Sequence, residues 1–318
     1  MTSENKGAAQ LTTAMMLSGT LGVFVVESGA SPFNVVFFRV LFGALALGSY
    51  IVARGWLRGH GFTPRTLGLT VLGGVFIVFN WLLLFQSYEN TSISVATVVY
   101  HTQPFYVVLL GALLFRERLT AAKVGWVAVA FAGLILVSGI TPGDFTSGGS
   151  YVVGVGQALL AALLYGLSTV VTKRVTGVRP HLIAFVQVLV GIPLLLPFAD
   201  FGAMRGEGAD WGWLVGLGVI HTGVMYVLLY AAYAKLPTAK IAVLAFVYPA
   251  VAMVMDWAVY GHHIGLVQAL GVPLIVLASL KVTLPRSPRT PAAAPAPRTA
   301  AQPPEAASRT ATPAGCEA

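Results

Sequence analysis

The chain has 318 residues, 57% hydrophobic and only 9% charged, with a mean hydropathy of +0.81. Soluble domains carry about 25% charged residues, so a water-soluble fold is excluded and the chain reads as an integral membrane protein. The formal charge of +8 does not mark a nucleic-acid partner, because the basic residues sit at the ends of apolar spans, where orientation signals belong.

Ten apolar spans follow one another: 9–26, 33–53, 66–87, 92–115, 121–138, 152–172, 182–199, 211–231, 241–260 and 265–282. Each is close to the length needed to cross about 30 Å of hydrocarbon as a helix. They are too long and unbroken for barrel strands. With the N-terminus inside, seventeen of the nineteen Lys and Arg residues fall on the cytoplasmic side. Arg205 falls outside, and Arg39 lies within the second span. This is a strong positive-inside bias. It places both termini in the cytoplasm of a bacterial inner (plasma) membrane protein.

The fourth span carries Tyr100, His101, Thr102, Gln103 and Pro104 at its middle. A helix-breaking proline among polar groups is costly in lipid unless it faces protein or a cavity. The layout returns 145 residues later, where Pro249 matches Pro104 and Tyr233 matches Tyr88. Five spans per half is an odd number, so the halves run in opposite senses. The expected fold is an all-α integral membrane protein of ten transmembrane helices, built as two inverted-topology five-helix repeats, 9–138 and 151–283. Such repeats place a site near the midplane and interconvert by rocking. Residues 284–318 are rich in Pro and Ala without an apolar period, and read as a disordered cytoplasmic tail.

Polar residues inside spans are the candidate substrate pathway. A buried arginine costs about 2.5–3.5 kcal/mol at mid-helix. Arg39 is therefore an anchor for a substrate carboxylate, the partner of Asp256 or Glu27 in an ion pair, or a side chain that snorkels to the headgroups. Asp256, the acid inside a span, carries a coupling proton or pairs with Arg39. His101 and His221 are candidates for proton relay. Asn80, Tyr100, Gln103, Tyr165, Gln187, Tyr226 and Tyr248 line a cavity or bond across helices. Gln187 takes the place of Arg39 in the second half. Pro104 and Pro249 are candidate gating points. Trp56, Trp81, Trp126, Trp211 and Trp213 read as an interfacial belt.

No metal site is expected: His262 and His263 are adjacent at a span end, and no HExxH occurs. The single cysteine, Cys316, offers no disulfide framework or thiolate site. No GxxxxGK[ST] loop is present to bind ATP, and no catalytic constellation suggests an enzyme. No cofactor is expected. The expected partners are a small-molecule substrate and the lipid bilayer, and the sequence leaves room for a homodimer.

The ten spans in two halves, TSISVATVVYHTQPFYVVLLGALLFRERLT, the Gly-rich VGWVAVAFAGLILVSG that follows it and SPFNVVFFRVLFGAL resemble the EamA-type drug/metabolite transporter superfamily. The resemblance covers residues 10–283. Pro104 followed by Glu117, Arg118 and Leu119 is its more specific part. In the second half His262 stands where the family more usually has glutamate. The resemblance implies an inner-membrane secondary transporter that moves small metabolites, often amino acids or related compounds, usually outward. Arg39 matches an arginine often seen in the family's second helix. An importer or facilitator is the alternative reading, and a non-transporting membrane sensor a further one.

Overall fold

The computed structural model describes residues 2–115, 121–138, 149–202, 204, 210–236, 240–241 and 244–283. Glu117, Arg118 and Leu119, Arg205, and the tail from residue 284 onward lie outside the described residues. All regular elements among the described residues are helical. They are α1 (Ser3–Glu27), α2 (Pro32–Ala53), α3 (Pro64–Asn90), α4 (Ile93–Tyr100), α5 (Gln103–Phe115) and α6 (Ala121–Ser138). After these come α7 (Ser150–Thr172), α8 (Pro180–Leu195), α9 (Trp211–Gly218), α10 (Met225–Tyr233), α11 (Val247–Tyr260) and α12 (Leu266–Thr283).

Seven helical stretches are long and apolar enough to cross a membrane, counting Ile93–Gly111 across its break and Trp211–Tyr233 as one rod. Three shorter apolar helices, Val124–Val137, Val247–Tyr260 and Leu266–Ala278, accompany them. The protein is multi-pass.

Local sequence sets the helix starts. Thr63 and Thr66 form a reciprocal capping box ahead of α3, with Pro64 at a position that needs no N–H. Ser31 caps α2 before Pro32 in the same way, and Ser92 caps α4 through Val95 N at 3.2 Å.

Two expected spans are interrupted. The span at 92–115 is two helices, α4 and α5, separated at His101 and Thr102. Pro104 has no N–H to offer the preceding turn. The chain closes instead with tight bonds, Thr102 N to Val99 O at 3.1 Å and Phe105 N to Thr102 O at 2.9 Å. Pro249 has the same effect in the second half. There α11 begins only at Val247, after a turn in which Tyr248 N donates to Ala245 O at 3.3 Å. The eighth span is helical throughout but changes winding, with a π-helical segment at Val219–Val224 between α9 and α10.

The helices of the first half pack chiefly on those of the second. α1 lies against α10 and α11, α2 against α8 and the π segment, α3 against α7 and α8, and α6 against α12. Large apolar side chains such as Leu45, Leu113, Ile135 and Leu266 face outward, while Arg39, Asn80, His221 and Asp256 are buried inside. Lipid is as apolar as leucine, so close approach and polar contacts hold such a bundle together rather than expulsion of apolar surface from water.

Candidate functional site

Arg39 lies two turns into α2, and its side chain is only 2% exposed. Nε donates to Thr222 Oγ1 at 3.1 Å, and the guanidinium lies over the Trp81 ring at 4.1 Å, with Phe85 at 5.6 Å. Nη1 is buried and has no hydrogen-bond partner. The contact with Thr222 depends on a glycine. A Cβ on Gly43 would stand 2.6 Å from Thr222 Cγ2, so any larger residue would push α2 off the π segment. π segments recur at functional sites because they displace side chains from the regular α register. This one carries His221 and Thr222.

Aromatic hydroxyl side chains surround the guanidinium. Tyr88, Tyr100, Tyr226 and Tyr248 lie close enough to interact with its charge. The Tyr100 hydroxyl donates to Asn80 Oδ1 at 3.2 Å, and Asn80 Nδ2 donates to Ala161 O at 2.6 Å, tying α3, α4 and α7 together. Tyr165 meets Tyr100 edge to face at 6.1 Å. Thr97 neighbours both Tyr88 and Tyr248, and its hydroxyl has no partner in bonding geometry.

The two helix breaks meet beside this cluster of side chains, the candidate substrate chamber. His101, in the first break, packs against Phe246 and Tyr248 of the second, with ring centroids 5.5 and 5.4 Å apart. Its Nδ1 is buried without a partner. Pro104 lies in the first turn of α5 beside the half-buried Gln103, and Pro249 in the first turn of α11.

Other candidate pathway residues have partners of their own, although His221 stays within range of the Arg39 charge and its Nδ1 is buried without a partner. His221 Nε2 pairs with Thr20 Oγ1 at 3.0 Å and its ring packs on Phe24, linking the π segment to α1. Gln187 Nε2 donates to Thr172 Oγ1 at 2.9 Å and packs on Gly73, two turns along α3 from Asn80. Asp256 is not the partner of Arg39. It is fully buried, with Oδ2 accepting from Ser94 N at 2.9 Å and Oδ1 3.0 Å from His262 Nδ1. The carboxylate thus caps the first turn of α4, where orphan N–H groups and the helix dipole favour a negative charge. Gly261, at φ 68°, ends α11 in a left-handed turn that brings His262 back to this acid. Glu27 accepts from the Tyr260 hydroxyl at 2.8 Å. The ion-pair readings of Arg39 therefore fail, and its burial rules out snorkelling.

Four chamber residues were not singled out from the sequence as pathway residues: Trp81, Tyr88, Thr97 and Thr222. Trp81 is 5% exposed at mid-helix and does not belong to an interfacial belt. Its place beside Asn80 in the centre of a span was the available signal. Among the described residues no group of three His, Cys, Asp or Glu side chains could hold a metal ion.

Comparison with known proteins gives a family. The EamA-like transporter family matches twice, over residues 5–139 and 152–284. The uncharacterized transporter YxxF of Bacillus subtilis is 34% identical over 289 residues, 90% of this chain and 92% of the relative. The aromatic amino acid exporter YddG of Ancylobacter novellus is 25% identical over 220 residues, 67% of this chain and 75% of the relative. A solved crystal structure, 20% identical, superposes with a TM-score of 0.62 over 88% of this chain and 97% of its own, which shows a shared fold.

Proposed function

Because the chain belongs to the EamA-like transporter family, we propose that it is a secondary transporter exporting small metabolites, such as amino acids or related compounds, by alternating access. The observation that carries this reading is the meeting of two helix breaks, each set by a proline, beside a buried cluster of aromatic and polar side chains with unpartnered polar atoms. Irregular backbone at membrane depth is tolerated where it is buried in protein or lines a cavity. Discontinuous helices at a repeat interface are the usual site of substrate binding in transporters with internal repeats.

In this reading the three shorter apolar helices also cross the membrane, giving ten spans in two inverted halves, 9–138 and 151–283. Both termini lie in the cytoplasm. Arg39, Asn80, Tyr100, His101, Gln103, Tyr165, Tyr226 and Tyr248 form the substrate pathway. Pro104 and Pro249 free the two breaks to bend. Asp256, His221 and Gln187 hold the surrounding helices. The protein uses no cofactor and performs no catalysis. Exporters among its relatives, such as YddG, support the outward direction.

Counterflow in liposomes of inner-membrane lipid tests this. The purified full chain exchanges at least one member of a broad labelled metabolite panel. Exchange of none, with or without a pH gradient, would overturn it.

A further inference from the structure

We infer that the chamber selects its substrate by charge: it takes a monoanion, a single carboxylate on a flat apolar body, held by the free edge of Arg39. This rests on the transporter reading and narrows it from amino acids and related compounds to the related compounds that carry a carboxylate without the ammonium.

The first ground is an uncompensated charge. Six acids lie among the described residues; Glu89 is exposed near the end of α3, away from the buried guanidinium, and the other five are engaged. Asp256 is held by Ser94 and His262, Glu27 by Tyr260, and Glu4 by Lys240. Asp200 and Asp210 bond backbone amides of Gly202 and Gly212. Neither ion pair found among the described residues includes Arg39. A buried charge without a counter-ion is expensive, and removing one partner of such a pair leaves that cost unmet. A substrate anion supplies the missing charge.

The second ground is geometry. Trp81 covers a face of the guanidinium at 4.1 Å, and Thr222 occupies Nε. The open contact is Nη1, in the plane of the group. A carboxylate fits such an edge, because two oxygens in one plane match guanidinium N–H groups in one plane.

The third ground is the charge count. Arg39 is the one fixed positive charge among the described residues of the chamber, so it neutralises one negative charge. A dicarboxylate or a phosphate monoester would leave a second charge buried without a partner. The ammonium of a zwitterionic amino acid would find no carboxylate, because Asp256 faces Ser94 instead. Trp81 stacks on the guanidinium, and Tyr88, Tyr100, Tyr226 and Tyr248 lie within range of its charge. Their rings suit a flat apolar body, and the Tyr226 hydroxyl can donate to a remaining carboxylate lone pair, since that of Tyr100 already donates to Asn80.

Four probes on one skeleton separate these possibilities. They are 3-phenylpropionate, benzylmalonate, phenylalanine and phenethylamine, with net charges of about −1, −2, 0 and +1 at neutral pH. Calorimetric titration of the purified full chain should rank 3-phenylpropionate tightest, by about tenfold or more over each of the others. Arg39→Gln should abolish the ranking. Arg39→Lys keeps the charge without the planar fork and should keep the preference for the monoanion at reduced affinity. Melting curves of both variants confirm that they fold. Equal binding of phenylalanine or benzylmalonate, or a ranking that survives Arg39→Gln, overturns the inference. So does absence of binding by all four probes when the same preparation exchanges other metabolites in liposomes, which leaves the transporter reading standing. Absence of both binding and exchange removes the transporter reading, and the inference with it.

Discussion

Asp256 on α11 and Arg39 on α2 are both buried ionisable groups in apolar helices, and their surroundings differ. Both carboxylate oxygens of Asp256 are engaged within the fold, one at the first turn of α4 and the other at His262. Arg39 has one bond, to Thr222, an aromatic face beneath it, and a buried Nη1 without a partner. Burial alone therefore does not identify a functional charge. A charge whose bonds are complete holds helices together, and one whose bonds are incomplete is available to something that comes and goes.

Breaking the open site should have the largest effect. Arg39→Met is expected to lower counterflow by about 100-fold, the loss of a charge-assisted contact worth about 3 kcal/mol. Its thermal stability in detergent should be unchanged or higher, because an uncompensated buried charge has been replaced by an apolar side chain of similar length. A collapse in stability would show that Arg39 is structural, like Asp256.

Asp256 should behave in the opposite way. Asp256→Ala leaves Ser94 N–H without its acceptor and should cost about 1–3 kcal/mol in a denaturation measurement. Asp256→Asn keeps an oxygen acceptor and should cost less, with the pH dependence of counterflow unaltered. Loss of that pH dependence would move Asp256 into the transport chemistry and erase the contrast.

Gly43→Ala sharpens the comparison at the border of the open site. The added methyl meets Thr222 and must displace it, at about 1–2 kcal/mol. The displaced hydroxyl would loosen Arg39 Nε, so affinity should fall several-fold in a binding titration while Asp256 and its partners stay as they are. The smallest effect is expected from removal of residues 285–318. Counterflow should stay within about twofold of the full chain, since a composition rich in Pro and Ala and without an apolar period does not favour a packed core.

The helices were readable in the sequence because hydropathy over about twenty residues reports depth in the bilayer directly. So were the two breaks, since Pro104 and Pro249 remove backbone donors whatever surrounds them. Arg39 and Asp256 were visible as charges in apolar runs, but their partners were not. Ser94 is 162 residues from Asp256, and Thr222 is 183 from Arg39. Each pairing depends on how closely two helices approach and on which side faces inward. In lipid, the outer and inner faces of a helix can be equally apolar, so hydropathy carries little information on azimuth. Trp81 was misread for the same reason. Tryptophan at an interface and tryptophan beneath a buried cation look alike until the neighbours are known. The π segment was also invisible, since VIHTGV has no proline and its one glycine, Gly223, does not distinguish a π turn from an α-helix.

That segment has a consequence for the two halves. The 145-residue correspondence runs without a gap from Gly73 and Gly218, through Leu83 and Leu228, to Tyr88 and Tyr233. Over that run α3 is an unbroken α-helix, whereas the second copy widens to π winding at Val219–Val224. A wider turn takes up more residues per revolution, so everything after it is rotated relative to its counterpart. Tyr88 is 6% exposed beside the guanidinium, and Tyr233 is 42% exposed. The duplicated stretches are like one thread cut at two pitches. Identical letters emerge facing different directions, and a symmetric sequence yields an asymmetric chamber with no substitution at the tyrosine itself.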